Sequence, residues 1–238
     1  MRIVSLCPSL TELVFDLGLG DSLVGVTKFC VHPADRVRGI EKVGGTKTPK
    51  VERIAELAPE LVLLNEEENR AEDAEALEAA GLACHISFPK TAIETAEMVR
   101  SIGEAVGRPD EAEDIARSIE DAARRVREAA SGLPAVRYAY LIWHEPLMTV
   151  TGDTIISDLL RPPGGENAFA DRPTRYPVVE ARDLAAAGLD AVLLSTEPFP
   201  FQDKHIAEVS RHTGLAPEIF HIVDGEMLSW HGSRTPSG

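Results

Sequence analysis

Aromatic rings and carboxylates are the side chains of this sequence best suited to do chemistry. Aromatic residues make up only 5% of the 238 residues, yet Trp143, Phe199, Phe201 and Trp230 all fall in stretches whose patterning reads as loop, as do Phe29 and Tyr176. Each such ring can bury roughly 150 to 250 Å², so several at one site suit a large, flat macrocycle. Singly, any of them could equally cap a sheet edge as core. Lys47, Glu67, Asn69 and Glu197 stand in the same kind of connection and complete the expected ligand-binding set.

Direct metal binding is the second chemistry these residue types allow. Cys30 and His32 place a thiol and an imidazole close together, while His144 beside Glu145, and His231 beside Trp230, add nitrogen donors. There is no HExxH and no paired CxxC. His205 and His212 share a helix face but stand about two turns apart, too far for one ion. The expected metal ligands are Cys30, His32, His144 and His231, against the plainer alternative that each histidine is structural or on the surface.

Acid–base catalysis is the third possibility. Glu67, Glu197, Asp224 and Glu226 could pair carboxylates, with His144 as a base. No nucleophile elbow, P-loop or dinucleotide fingerprint accompanies them, and Gly18-Leu-Gly20 falls at a helix end, where a dinucleotide motif needs its glycines at the helix start. The expectation is a protein that is not an enzyme and requires no cofactor.

These residues need a scaffold, and the first 27 positions already describe one. Arg2 to Leu6 reads as a strand. Ser9 opens a helix as a Ser-x-x-Glu capping box with Glu12, Gly18 and Gly20 end it, and Leu23 to Val26 returns as a strand. Strands then alternate with helices to residue 90: a helix over 51–57, a strand over 61–64, a helix over 70–80 and a strand over 82–86. That alternation predicts a parallel sheet covered by helices. Residues 91–130 read as helix only, broken at Gly107-Arg108-Pro109. The second piece would reach about 30 Å at ~1.5 Å per residue, and its Glu and Arg content is a solvated face.

The α/β alternation resumes with a strand over 136–142, and the halves echo each other. A shift of 130 positions lays Glu60-Leu-Val-Leu-Leu64 on Asp190-Ala-Val-Leu-Leu194, Ile54 on Leu184 and Glu67 on Glu197. The predicted architecture is α/β, with two Rossmann-like lobes of parallel sheet over residues 1–90 and 134–238, joined by a helical linker over 91–133. Ligands of open α/β sheets sit at the carboxyl ends of strands, so the loops after Val26, Leu64, Ile142 and Leu194 are expected to face one inter-lobe cleft.

The formal charge of −15 opposes a nucleic-acid partner. The longest apolar runs fall far short of the ~20 residues that span a bilayer. Three cysteines, Cys7, Cys30 and Cys84, are too few for a disulfide framework. With Met1 directly on the first strand and no charged-then-apolar leader, a cytoplasmic protein is expected, or a periplasmic or cell-surface one whose leader has been removed. A monomer is expected.

Arg2-Ile-Val-Ser-Leu with Pro8-Ser-Leu-Thr-Glu12, Leu23-Val-Gly-Val-Thr27, Val43-Gly-Gly45 with Glu52-Arg-Ile54, Ala58-Pro-Glu-Leu-Val62 and Gly164-Gly-Glu-Asn-Ala-Phe169 together resemble the helical-backbone metal receptors. These are the cobalamin- and iron-chelate-binding proteins of bacterial ABC importers. The resemblance implies two lobes joined by a long helix, binding a corrinoid, haem-like or iron-chelate ligand in the cleft and delivering it to a permease. It also implies an acidic residue on each lobe for docking. Glu52 matches the first, but the shift of 130 pairs it with Arg182, with Asp183 adjacent. A carrier of metal or chelate without a permease is the alternative, and a chelatase-like enzyme using cleft carboxylates a further one.

Overall fold

A computed structural model of the chain describes residues 1–237, which fall into two compact units. One comprises Met1–Pro89, Ile93–Ile119 and His231–Arg234; the other comprises Lys90–Ala92, Glu120–Trp230 and the described residues from Thr235 on.

The first unit is built on a parallel sheet in the order Leu23–Val26, Ile3–Ser5, Leu61–Asn65, Cys84–Ser87. Side chains alternate across a strand, and both faces here are apolar. Val4, Leu6, Val62 and Leu64 pack with Ile54 and Leu77 on one side, while Ile3 and Leu63, of opposite parity, are also fully buried. A sheet covered on both faces is what parallel strands with helical crossovers produce.

The opening helix runs Pro8–Asp16 with Cys7 as its N-cap and no side-chain cap, so the capping box expected at Ser9 does not form. Pro8, whose fixed φ favours the first helical position, starts the helix one residue early and moves Ser9 inside it. Glu12 turns instead to Arg234, whose Nε donates to its Oε2 at 2.5 Å. Gly18 does take the left-handed conformation at φ 74°. Gly20 does not, and serves another purpose: a Cβ there would collide with the Phe15 ring.

Helices Ala92–Val106 and Pro109–Ala129 follow. The second carries a buried stripe of Ala112, Ala116, Ile119 and Ala122, and its arginines and glutamates face solvent in pairs such as Arg117 with Glu113 at 2.7 Å. The division between the two units falls inside this continuous helix.

The second unit has a sheet ordered Phe220–Val223, Ala191–Ser195, Val136–Trp143, Met148–Thr149. Strand Gly165–Asn167 also lies parallel to the first half of Val136–Trp143, and Met148–Thr149 lies antiparallel to its second half. These two short strands carry no periodicity legible in sequence. The Gly-Gly-Glu-Asn-Ala-Phe segment supplies the first of them, and Asn167 locks it by donating to Val150 O and Ser157 Oγ, both at 2.9 Å. A core of Leu141, Phe169, Leu184, Val192, Leu194, Phe201 and Phe220 lies beneath.

The internal echo is real at the level of hydrogen bonds. In the first unit Arg2 N donates to Glu60 Oε2 at 2.7 Å, Glu60 N to Arg2 O at 2.8 Å, and Arg2 Nε to Leu57 O at 3.0 Å. In the second, Arg137 N donates to Asp190 Oδ2, Asp190 N to Arg137 O and Arg137 Nε to Ala187 O, each at 2.8 Å. An arginine at the foot of the central strand thus ties down the helix-to-strand turn in both sheets. The residue after the helix C-cap is left-handed in both, Ala58 at φ 45° and Gly188 at φ 63°.

Candidate functional site

The loops at the carboxyl ends of the strands carry most of the expected site residues, and each unit has its own group. In the second unit, strand Val136–Trp143 ends on Trp143 and runs into His144, while the loop after Ala191–Ser195 carries Glu197, Phe199 and Phe201. Phe199 is the hub. Trp143 meets it edge-on at 5.8 Å, His144 stacks on it at 5.4 Å with 23° between planes, and Phe201 meets it at 4.8 Å. Phe201 is only 2% exposed and belongs to the core, whereas Trp143 is 40% exposed at the outer edge. The cluster therefore runs from a core anchor to a ring that is open to a ligand.

Next to it, Thr196, Glu197, Ile222, Val223, Asp224 and Glu226 line a cavity of about 590 Å³. Glu197 is held in place: its Oε2 accepts from Trp230 Nε1 at 2.8 Å, and its backbone is tied to Ser195 Oγ. Ser195 in turn accepts from Tyr140 at 3.0 Å, a phenol whose pKa burial pushes up to about 12. Asp224 caps the helix Gly225–Ser229 through the amides of Glu226 and Met227. Tyr176 packs instead, half-buried, against the separate core cluster that contains Ile142, Val150 and Ile155.

In the first unit, the strand Leu61–Asn65 ends in a pair of amides that shape the following loop. Asn69 Oδ1 accepts from Asn65 N at 2.9 Å, and its Nδ2 donates to Leu6 O at 3.1 Å and Thr46 O at 2.9 Å. Its amide is thereby engaged with three separate stretches of backbone. Lys47 lies over this loop, its Nζ donating to Glu67 O at 2.6 Å. Burial raises the Glu68 carboxyl, and the Lys47 charge acts in the opposite sense. Phe29 is 50% exposed, with Lys28 Nζ 4.9 Å from its ring centroid. The first unit therefore offers the open Phe29 ring and two lysines, Lys28 and Lys47, in these loops.

Among the described residues of the first unit, Cys30, His32 and His231 form no metal-type group. Cys30 is buried between the hydroxyls of Thr11 and Thr27 at 3.1 and 3.2 Å, and burial raises its pKa, so the thiolate a metal needs is disfavoured. His231 is buried, its Nε2 3.1 Å from Asn65 Nδ2 and 3.4 Å from Ser9 Oγ. His32 joins neither in a cluster; among the described residues, the metal-type group is His144, Glu145 and Glu208. Sequence reasoning missed Glu208. No local spacing announces it, because Glu208 lies on the helix Asp203–Thr213, far in sequence from His144 and Glu145.

The docking candidates sit at matched helix starts. Glu52 is exposed at the second position of Val51–Glu56, and Arg182 is exposed at the second position of Ala181–Ala186. Arg182 pairs with Glu180 at 2.9 Å, and Asp183 accepts from Glu180 N in a capping box.

Residues 3–216 match the periplasmic binding protein family. That match overturns the cytoplasmic location expected from the opening strand and points to the periplasm. A vitamin B12-binding protein of Vibrio parahaemolyticus is 30% identical over 183 residues, 77% of this chain and 66% of that protein; the chain thus covers just under two thirds of that relative's length. The periplasmic vitamin B12 binding protein BtuF of Vibrio cholerae superposes with a TM-score of 0.85 at 22% identity, over 99% of this chain and 92% of that one. The periplasmic heme-binding protein RhuT from Roseiflexus sp. RS-1 does so with a TM-score of 0.85 at 23% identity, over 99% and 94%. Among the described residues no helix is long and apolar enough to cross a membrane. On that match over most of its length, the chain belongs to the periplasmic binding protein family.

Proposed function

We propose that this protein is a receptor for a bulky metal chelate, a corrinoid, haem-like or iron-chelate ligand, which it delivers to an ABC permease. The observation that carries the reading is the ring cluster of the second unit. Trp143 is 40% exposed and lies edge-on to Phe199, which is backed by the buried Phe201. A flat ligand gains most from a ring held rigid before it arrives, because little side-chain entropy is then lost on binding. Two relatives named for vitamin B12 and one named for heme support the same class of ligand.

Phe29 and Lys47 are the ligand contacts proposed in the first unit, and Glu197 and Trp230 the polar ones in the second. Glu52 is the proposed permease contact of the first unit. In the second, Asp183 takes that part only in competition with its own helix cap.

The test is titration of the purified chain with cyanocobalamin, haemin and a ferric hydroxamate, read by tryptophan fluorescence. Saturable quenching with one of them, weakened at least about tenfold by Trp143→Ala, is expected. No saturable quenching with any of the three overturns the reading.

A further inference from the structure

We propose that His144, Glu145 and Glu208 bind one divalent transition-metal ion directly, independently of any chelate the protein carries. Each residue offers one ligand atom, and the three atoms lie within 4.8 Å of one another. His144 Nε2 and Glu208 Oε2 are 3.5 Å apart. That is close to the ~3.4 Å ligand-to-ligand edge of a tetrahedral ion with bonds of about 2.1 Å, so an ion replaces the direct contact with little movement of either side chain. Glu145 is exposed at the loop and closes in as the third ligand.

The donors are positioned before any ion arrives. The His144 ring is stacked on Phe199 and edge-on to Phe201 at 6.0 Å. Trp143 Nε1 donates to Glu145 O at 3.1 Å and pins the backbone between the two donors. Glu208 stands on the helix Asp203–Thr213, whose first turn is fixed by Gln202 N donating to His205 Nδ1 at 2.8 Å. Supporting contacts of this kind set ligand orientation in metal sites.

Charge and donor type select the ion. Two carboxylates and an imidazole together suit a dication. The imidazole favours zinc, iron, cobalt or nickel over magnesium and calcium, which prefer oxygen alone. Three protein donors leave a coordination position for water.

The chelator-stripped protein is titrated with Zn²⁺ by calorimetry and with Co²⁺ by visible absorption. One ion per chain is expected, with the strong d–d bands of low-coordinate Co²⁺ and quenching of fluorescence that Trp143→Phe diminishes. His144→Ala and Glu208→Ala should each weaken binding by at least about tenfold with unchanged circular dichroism, and His212→Ala should leave it intact. Absence of saturable one-ion binding, or binding that survives both variants, overturns the proposal. No chelate is present in this assay. Corrinoid binding without Zn²⁺ binding therefore refutes the ion site and leaves the receptor reading standing, and the converse result does the opposite.

Discussion

The indole of Trp230 donates to the carboxylate of Glu197 at 2.8 Å, joining a ring that is 8% exposed to the loop that carries Phe199 and Phe201. The bond is charge-assisted and largely shielded, so it contributes more than a neutral surface contact, on the order of 1.5 to 3 kcal/mol.

Glu197→Gln should keep the geometry and lower the urea midpoint modestly, while Trp230→Phe should lower it more. Both should loosen the Phe199 loop and weaken chelate binding. Equilibrium unfolding beside ligand titration checks this; unchanged stability in both variants would remove the bond from the account.

The left-handed position after two matched helices gives a second prediction. Gly188 occupies it freely at φ 63°, whereas Ala58 holds φ 45° against a penalty of roughly 1 to 2 kcal/mol for a residue with a Cβ. Ala58→Gly relieves that strain while adding freedom to the unfolded chain, so a net gain below about 1 kcal/mol is expected. Gly188→Ala should lose about 1 kcal/mol. Thermal melts of the two variants should shift in opposite directions.

Tyrosine ionisation gives the third. Burial raises the pKa of Tyr138, and that of Tyr140 to about 12, so the fold favours the neutral phenols. A raised native value means that the stability contribution is complete below the unfolded value of about 10 and is lost as pH rises from there towards 12. Phenolate absorbance should show late titration in the native protein and ordinary titration in guanidinium chloride. Tyr140→Phe, which gives up the bond to Ser195, should reduce the alkaline loss.

Thiol reactivity gives the fourth. Burial pushes Cys7 up to about 12, with the Glu68 charge adding to it, and pushes Cys84 up to about 11; Cys30 is also raised, chiefly by burial. At about pH 8 the thiolate fraction is then on the order of a thousandth or less for Cys7 and Cys84. Ellman's reagent should label the native protein slowly and the denatured protein at once. Rapid native labelling of Cys7 would contradict its burial.

Much of the fold was legible in the sequence because its signals are local. The run Leu61 to Leu64 and its counterpart Ala191 to Leu194 announce central strands by composition alone, and the shift between them points to two similar lobes. Ser9 misled because a proline beside it outranked the capping pattern. The ring cluster was legible as a set of loop aromatics, although Phe201 belongs to the core and Tyr176 lies elsewhere. Asn65, Asn69 and Glu208 were harder to weigh: their roles depend on which backbone or ring approaches them, and that is fixed by packing between distant segments.

The segment His231–Arg234 belongs to the first unit, bringing the His231 imidazole to Asn65 and the Arg234 guanidinium to Glu12 across 166 and 222 positions of sequence. The first unit is therefore discontinuous in sequence: two of its own contacts close loops of this length, at an entropic cost that grows only slowly with the separation.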